Sequence, residues 1–267
     1  MIQPTKAFQR KILEHYKKNG RDLPWRHTTN PYFILLSEVM LQQTQVERGK
    51  TYYVRWIAKW PNIENLAAAT REEVLKEWMG LGYNNRAINL HKAAQKIVSD
   101  FKGDVLTAME HFKEVPGIGP YTSAAVRIFS ANENIVTVDT NIRRILIHEF
   151  NLDDKVSDKE LHDLALKCLP KGKSREWHNG LMDYGALLLT SKKTGIRPKT
   201  TQSRFEGSDR QVRARILRYL LKHKNASMED IRWVGGLIEE ERLERILGKM
   251  VKEGVLMVDS NFYSIMV

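Results

Sequence analysis

Through residues 1–191 apolar side chains recur three and four positions apart, the spacing that lines one face of a helix, while alternating β-type runs are scarce. The pattern predicts an almost wholly helical domain over that span. Local chemistry marks several boundaries. Gly20 follows Lys17 and Lys18 and stops a first helix. Pro31 opens an apolar helix through Tyr32, Phe33, Ile34, Leu35, Leu36 and Val39. Thr70 with Glu73, and Thr107 with Glu110, have capping-box spacing and predict helices ending near Gly80 and Glu114. One stretch breaks the rule: Glu38, Gln42, Gln43 and Gln45 interrupt the helix that Pro31 opens.

Residues 192–209 shift to Lys, Arg, Thr, Ser, Gly and Pro with little apolar content and read as a basic linker. Beyond it, residues 210–267 carry amphipathic helical patterns over Gln211–Lys222, Ser227–Trp233 and Leu237–Lys252. Val255–Val267 then alternates about a turn at Asp259-Ser260-Asn261. Three helices and a terminal hairpin predict a small winged-helix-like unit.

Charge narrows the partners. Of 267 residues 43 are basic and 32 acidic, a net charge of +11, which favours a polyanion. A single cysteine, Cys168, excludes an internal disulfide and a multi-cysteine metal cage and fits a reducing compartment; its plain reading is a buried small hydrophobe. The N-terminus lacks an apolar signal core, and no run approaches the roughly 18–20 apolar residues that span a bilayer. A cytoplasmic, nucleoid-associated protein without a membrane partner is the expectation.

The decisive motif lies at 113–122. Val115-Pro116-Gly117-Ile118-Gly119-Pro120-Tyr121-Thr122 joins two helical patterns, and its glycines permit a tight hairpin whose amides, at the start of a helix, can hold a phosphate. By itself a Gly-x-Gly turn is a weak signal. Downstream, Val136-Thr137-Val138-Asp139-Thr140-Asn141-Ile142-Arg143-Arg144 delivers an Asp and an Asn beside a basic helix.

Together these segments resemble the helix-hairpin-helix (HhH-GPD) DNA glycosylase superfamily, in which a Leu-Pro-Gly-Val-Gly hairpin precedes a Val-Asp. The likeness extends through Leu23-Pro24-Trp25-Arg26, Ser37 to Gln45, Gly80-Leu81-Gly82-Tyr83, Asn89 to Ala94 and Asn179 to Ala186. These elements look like the MutY branch, adenine glycosylases acting on A paired with G or 8-oxoguanine. The resemblance implies an all-α, two-lobed glycosylase fold, a monomer, and double-stranded DNA carrying a mismatched or damaged base as partner.

Breaking an N-glycosidic bond leaves positive charge on the sugar and negative charge on the departing base, so the site needs a group for each. Glu38, set in an apolar helix, has the surroundings that raise a carboxyl pKa and let it protonate a purine ring nitrogen; the resemblance makes it the catalytic acid. Asp139, at a helix entrance among arginines, is expected to stay ionised and to stabilise the oxocarbenium-like sugar. Taken singly, Glu38 reads as a solvated helix residue and Asp139 as an N-cap. Tyr121 stands where lyase-competent relatives carry a nucleophilic lysine, which implies a glycosylase with little or no lyase activity. Tyr121 and Asn141 support Asp139 in this reading. Gln43 matches a glutamine that wedges into the base stack, beside Gln42, Tyr83 and Asn84. Gly117, Gly119 and Thr122 belong to the phosphate-binding hairpin, and Arg26, Arg48, Arg86, Arg143 and Arg144 are candidate phosphate contacts, each equally readable as surface charge.

Three departures from the branch stand out. Its iron–sulfur cluster is held by four cysteines, and the matching positions here are Leu189, Ile196, Lys199 and Phe205, so no cluster is expected. No cofactor is implied beyond a monovalent cation at the hairpin. The long 8-oxoguanine-reading domain does not fit after residue 205; Phe205–Arg213 resembles the short tail of some actinobacterial MutY-like proteins, and Glu239, Glu240, Glu241 and Glu244 make that unit a poor DNA reader. Asn84 replaces a second tyrosine and resembles the thymine-DNA mismatch glycosylases. Excision of thymine or uracil opposite guanine, and a non-catalytic DNA-binding protein, therefore stay open beside adenine excision.

Overall fold

The computed structural model describes residues 2–198 and 204–266, with side chains from Thr5 onward. Among the described residues helices dominate, and strands occur only near the C-terminus. The chain forms two compact units. The first comprises Met1–Glu38, Val105–Glu114 and Ile118–Thr201; the second comprises Val39–Asp104, Val115–Gly117 and Gln202–Val267.

In the first unit the helices Ile2–Asn19, Thr140–Glu149, Asp158–Cys168 and Ser174–Leu187 enclose a core of Phe8, Ile12, Ile142, Ile145, Leu146, Leu161, Cys168 and Trp177. Phe8 meets Phe150 and Trp177 edge-on at 5.3 and 5.4 Å, the arrangement aromatic quadrupoles favour. Gly185 lets Ser174–Leu187 lie close to Thr140–Glu149, since a Cβ there would stand 3.0 Å from Ile145 Cδ1. The same helix carries a fully buried acid, Asp183, which accepts Arg26 Nη1 at 2.7 Å, Arg26 Nη2 at 2.8 Å, Arg21 Nε at 2.6 Å and the Arg21 amide at 2.9 Å. Burial pushes the Asp183 carboxyl up, but these donors outweigh it and hold it below the usual range.

The second unit contains Val46–Lys59, Arg71–Trp78 and Asn85–Phe101, joined by a tryptophan cluster in which Trp56 lies 4.6 Å from Trp60 and 5.4 Å from Trp78. It also holds the C-terminal helices Asp209–His223, Met228–Gly235 and Glu240–Lys252 and strands β1 (Asn225–Ser227), β2 (Leu256–Asp259) and β3 (Phe262–Ile265). The sheet is antiparallel in the order β1-β3-β2, with Tyr263 between Ala226 and Val258. Ser260 and Asn261, both at positive φ, form the turn predicted between the last two strands. The unpredicted β1 is three residues long, too short for alternation to register.

Local corrections have plain causes. Thr70 and Glu73 form their capping box, whereas Thr107, predicted to stand at a helix start, lies inside Val105–Glu110. The helix predicted from Leu237 starts at Glu240, because Gly236 at φ +81 turns the chain first and leaves Leu237 fully exposed. Part of the basic linker is ordered: Ser191–Thr194 forms a helical turn capped by Thr190, and Ile196 packs against the core of the first unit. Its residues 199–203 lie outside the described residues. Among the described residues no helix is long and apolar enough to cross a membrane.

Candidate active site

The first unit brings together Glu38, Tyr121, Asp139 and Asn141. Glu38 rides on Pro31–Leu41, whose start is capped by Asn30 Oδ1 accepting the Tyr32 amide at 2.9 Å. Tyr121 is the second residue of Pro120–Ala131, opened by the hairpin proline. Asp139 is the N-cap of Thr140–Glu149: Oδ1 accepts the Ile142 amide at 2.7 Å, and Oδ2 accepts Asn141 Nδ2 at 3.1 Å. Arg144 Nη2 donates to Asn141 Oδ1 at 2.8 Å, which turns the amide nitrogen of Asn141 toward the carboxylate. The helix cap and the carboxylate expected to face the sugar are therefore one residue, Asp139, with a donor on each of its oxygens.

The electrostatics separate the two acids. Glu38, Tyr121 and Asp139 keep partial contact with solvent although protein encloses them closely, as in a recess. Burial pushes the Glu38 carboxyl up to about 7; a hydrogen bond from Tyr121 pulls it back and the facing charge of Asp139 adds to the rise. Burial also raises Tyr121 well above 10, so its hydroxyl stays protonated and donates to Glu38. Burial raises Asp139 as well. The Ile142 and Asn141 donors and the Arg144 charge oppose that rise.

Most of the arginines named as phosphate contacts are internal. Arg26 is committed to Asp183. Arg143 is buried and donates to the Asp154 carbonyl. Arg144 serves Asn141 and the carbonyls of Leu189 and Gly185. In the second unit Arg86 donates to the carbonyls of Val39, Met40 and Gln42 at 2.9, 3.0 and 2.6 Å, to Thr44 Oγ1 at 3.2 Å, and to the carbonyls of Leu81 and Gly82 at 3.2 and 3.0 Å. A count of basic residues cannot distinguish such groups from a phosphate-binding surface. Of the five, Arg48 is exposed.

Exposed Gln43 and half-buried Tyr83 both hold positive φ, at 56° and 50°, a conformation rare outside glycine and concentrated at functional loops. Gln42 and Asn84 are half-buried, and Thr122 is buried, so its side chain is not a surface contact. In the hairpin Gly117 is exposed at φ +73, and a Cβ there would stand 2.5 Å from Asn89 Cβ, while Gly119 faces open space. Gly117→Ala is accordingly expected to cost about 1–3 kcal/mol. Chemical denaturation checks this, and an unchanged midpoint would refute the fit. Sequence reasoning missed Arg21 and Asp183, although Asp183 is the sole acid in an otherwise apolar stretch of helix and such a buried charge requires a cation.

A hairpin-bearing helical fold with two carboxyls in unequal states is the architecture of a glycosylase scaffold. The profile of the HhH-GPD superfamily of base excision DNA repair proteins matches residues 36–171, and the chain belongs to this superfamily. Similar relatives include the adenine DNA glycosylase of Buchnera aphidicola subsp. Acyrthosiphon pisum, 36% identical over 73% of this chain and 56% of its own. That of Rattus norvegicus is 35% identical over 72% of this chain and 40% of its own. The Mycolicibacterium smegmatis protein of the same name is 31% identical over 92% of this chain and 91% of its own. The chain thus spans about half the length of the first two and nearly all of the third. Among solved structures, a thermostable thymine-DNA glycosylase superposes with TM-score 0.65 at 31% identity, covering 74% of this chain and 91% of that one. A non-covalent endonuclease III–DNA complex matches at TM-score 0.63 and 18% identity, over 74% and 90%, a likeness of fold.

Proposed function

We propose that the protein is a mismatch-specific DNA glycosylase that hydrolyses the bond between adenine and its sugar in A·G or A·8-oxoguanine pairs. The observation that carries this is the pair Glu38 and Asp139, one carboxyl raised to about 7 and bonded to Tyr121, the other fixed through both oxygens. Near neutral pH a large fraction of Glu38 is protonated. Its proton passes to a ring nitrogen of the flipped base, the N-glycosidic bond breaks with its electron pair leaving on the base, and Asp139 stabilises the cationic sugar until water adds at the anomeric carbon and gives up a proton to the Glu38 carboxylate. Tyr121 then serves the Glu38 carboxylate, because its hydrogen bond favours the ionised form. Tyr121 cannot form a Schiff base, which supports hydrolysis without strand cleavage.

Full-length relatives with the adenine glycosylase name favour adenine. A second reading, thymine or uracil opposite guanine, is favoured by Asn84 and by the 31% likeness to the thymine-DNA glycosylase. The chain is proposed to work without an iron–sulfur cluster: Leu189, buried, and Ile196, packed on the core, supply aliphatic side chains where thiolates would be required. We assign no step to a monovalent cation at the hairpin.

The test is single-turnover incubation with duplexes carrying A·8-oxoguanine, A·G, T·G or U·G, followed by alkaline cleavage of abasic sites. Adenine release is expected; thymine or uracil release moves the protein to the second reading, and no release from any duplex refutes both. The rate should fall as pH rises through about 7, where Glu38 loses its proton. Tyr121→Phe, by removing a bond that favours ionised Glu38, should move that alkaline limb to higher pH. An unmoved limb would detach Tyr121 from Glu38.

A further inference from the structure

The C-terminal unit fastens onto the turn that carries Asn84. Two arginines one helical turn apart on Asp209–His223 reach either side of that residue. Arg210 Nη1 donates to Tyr83 Oη at 3.0 Å, with its guanidinium 5.2 Å from the centre of the Tyr83 ring. Arg213 Nη2 donates to Asn85 Oδ1 at 3.0 Å and is paired with Glu253. The ring of Tyr83 is also met by Arg86, 5.7 Å away, so two cations attend one aromatic ring. Tyr83 itself stands at φ +50, a conformation that costs free energy and persists only where its surroundings over-determine it. Elsewhere on the same unit Lys224 Nζ bonds Glu72 at 2.8 Å and Arg71 Nη1 donates to the Gly254 carbonyl at 3.2 Å. These two contacts hold the C-terminal unit in place without touching the turn.

We propose that Arg210 and Arg213 are positioning residues that set the Tyr83–Asn85 turn, so that the C-terminal unit tunes which opposite base is accepted without reading DNA itself. Both arginines donate to neutral oxygens on the turn, and the acidic start of Glu240–Lys252 is unsuited to phosphates. The inference rests on the glycosylase reading above, in which Gln43, Tyr83 and Asn84 stand at the base stack left by the flipped nucleotide and so beside its opposite base, but the clamp is a property of the unliganded protein and can be read without substrate.

The experiment compares the full-length protein with Arg210→Ala, Arg210→Lys, Arg213→Ala and, as control, Lys224→Ala. Amide hydrogen exchange over Gly82–Asn85 is expected to quicken in both alanine variants at the clamp and to stay at the wild-type rate in Lys224→Ala. Single-turnover rates on A·8-oxoguanine, A·G and A·C duplexes are expected to converge by roughly tenfold in the clamp variants, the weight of one charge-assisted hydrogen bond. Arg210→Lys keeps charge but loses the planar fork and is expected to fall between wild type and Arg210→Ala. Unchanged exchange overturns the clamp, and quickened exchange with discrimination intact overturns its role in choosing the opposite base. An equal loss of discrimination in Lys224→Ala reduces the contact to ordinary docking and also overturns it. If the wild type excises no base, the glycosylase reading fails on that result alone, and the exchange comparison still decides the clamp.

Discussion

Glu38→Gln is expected to lower single-turnover base release by about a thousandfold, the usual weight of a general acid, while leaving the protein more stable than wild type at pH 8. The two effects share a cause. Moving a carboxyl from an ordinary 4.5 to about 7 means that the folded protein holds the Glu38 proton tightly. The sign follows from linkage: a raised folded-state pKa gives stability that is complete below 4.5 and lost as pH rises through about 7. Ionised Glu38 thus costs the fold about 3 kcal/mol above neutrality. Glutamine keeps the shape, does not ionise and cannot donate a strongly acidic proton. Denaturation of the two proteins should coincide near pH 4.5 and diverge up to pH 7, reaching a constant gap. Lost activity without that gap would mean that Glu38 is not held in its raised state, and retained activity would end its assignment as the acid.

The second large effect concerns the fold. Arg26→Ala removes two of the four hydrogen bonds to fully buried Asp183 and leaves Arg21 as its remaining charged partner. Breaking a buried pair from one side typically costs about 3–5 kcal/mol, because the orphaned charge stays desolvated. Arg26→Lys should recover little, since a point charge cannot occupy both carboxylate oxygens. Exposed Arg48→Ala, by contrast, should shift stability by less than about 0.5 kcal/mol and change DNA affinity instead. Chemical denaturation of the three variants orders these outcomes. A change below 1 kcal/mol for Arg26→Ala would show that water or Arg21 suffices for Asp183.

The helical fold, the hairpin and the two acids were legible because each leaves a local mark: apolar spacing, glycines where backbone must turn, and a carboxyl interrupting an apolar helix. Asp139 caps a helix, the plainer of its two readings, and its carboxyl also faces Tyr121 and Glu38. The arginines were not legible, because their roles depend on partners far away in sequence. Arg26 meets Asp183, Arg144 meets Leu189, and Arg86 meets the end of the Pro31–Leu41 helix. A positive side chain reads the same whether it faces a phosphate or a buried carbonyl. For the same reason the attachment of the tail through Arg210 and Lys224 could not be seen: the segment Phe205–Arg213 marks a relationship, while the contacts pair residues more than a hundred positions apart.

Arg86 ties the backbone after Glu38 to the backbone before Asn84, taking carbonyls from Val39, Met40 and Gln42 on one side and from Leu81 and Gly82 on the other. The bonds are to main-chain oxygens, so they are indifferent to which side chains stand at 43 and 84. Insertions or deletions in either loop would strand a buried cation, whereas exchanges at its tips would not. The framework between the two loops therefore tolerates point substitution at their tips while holding loop length fixed.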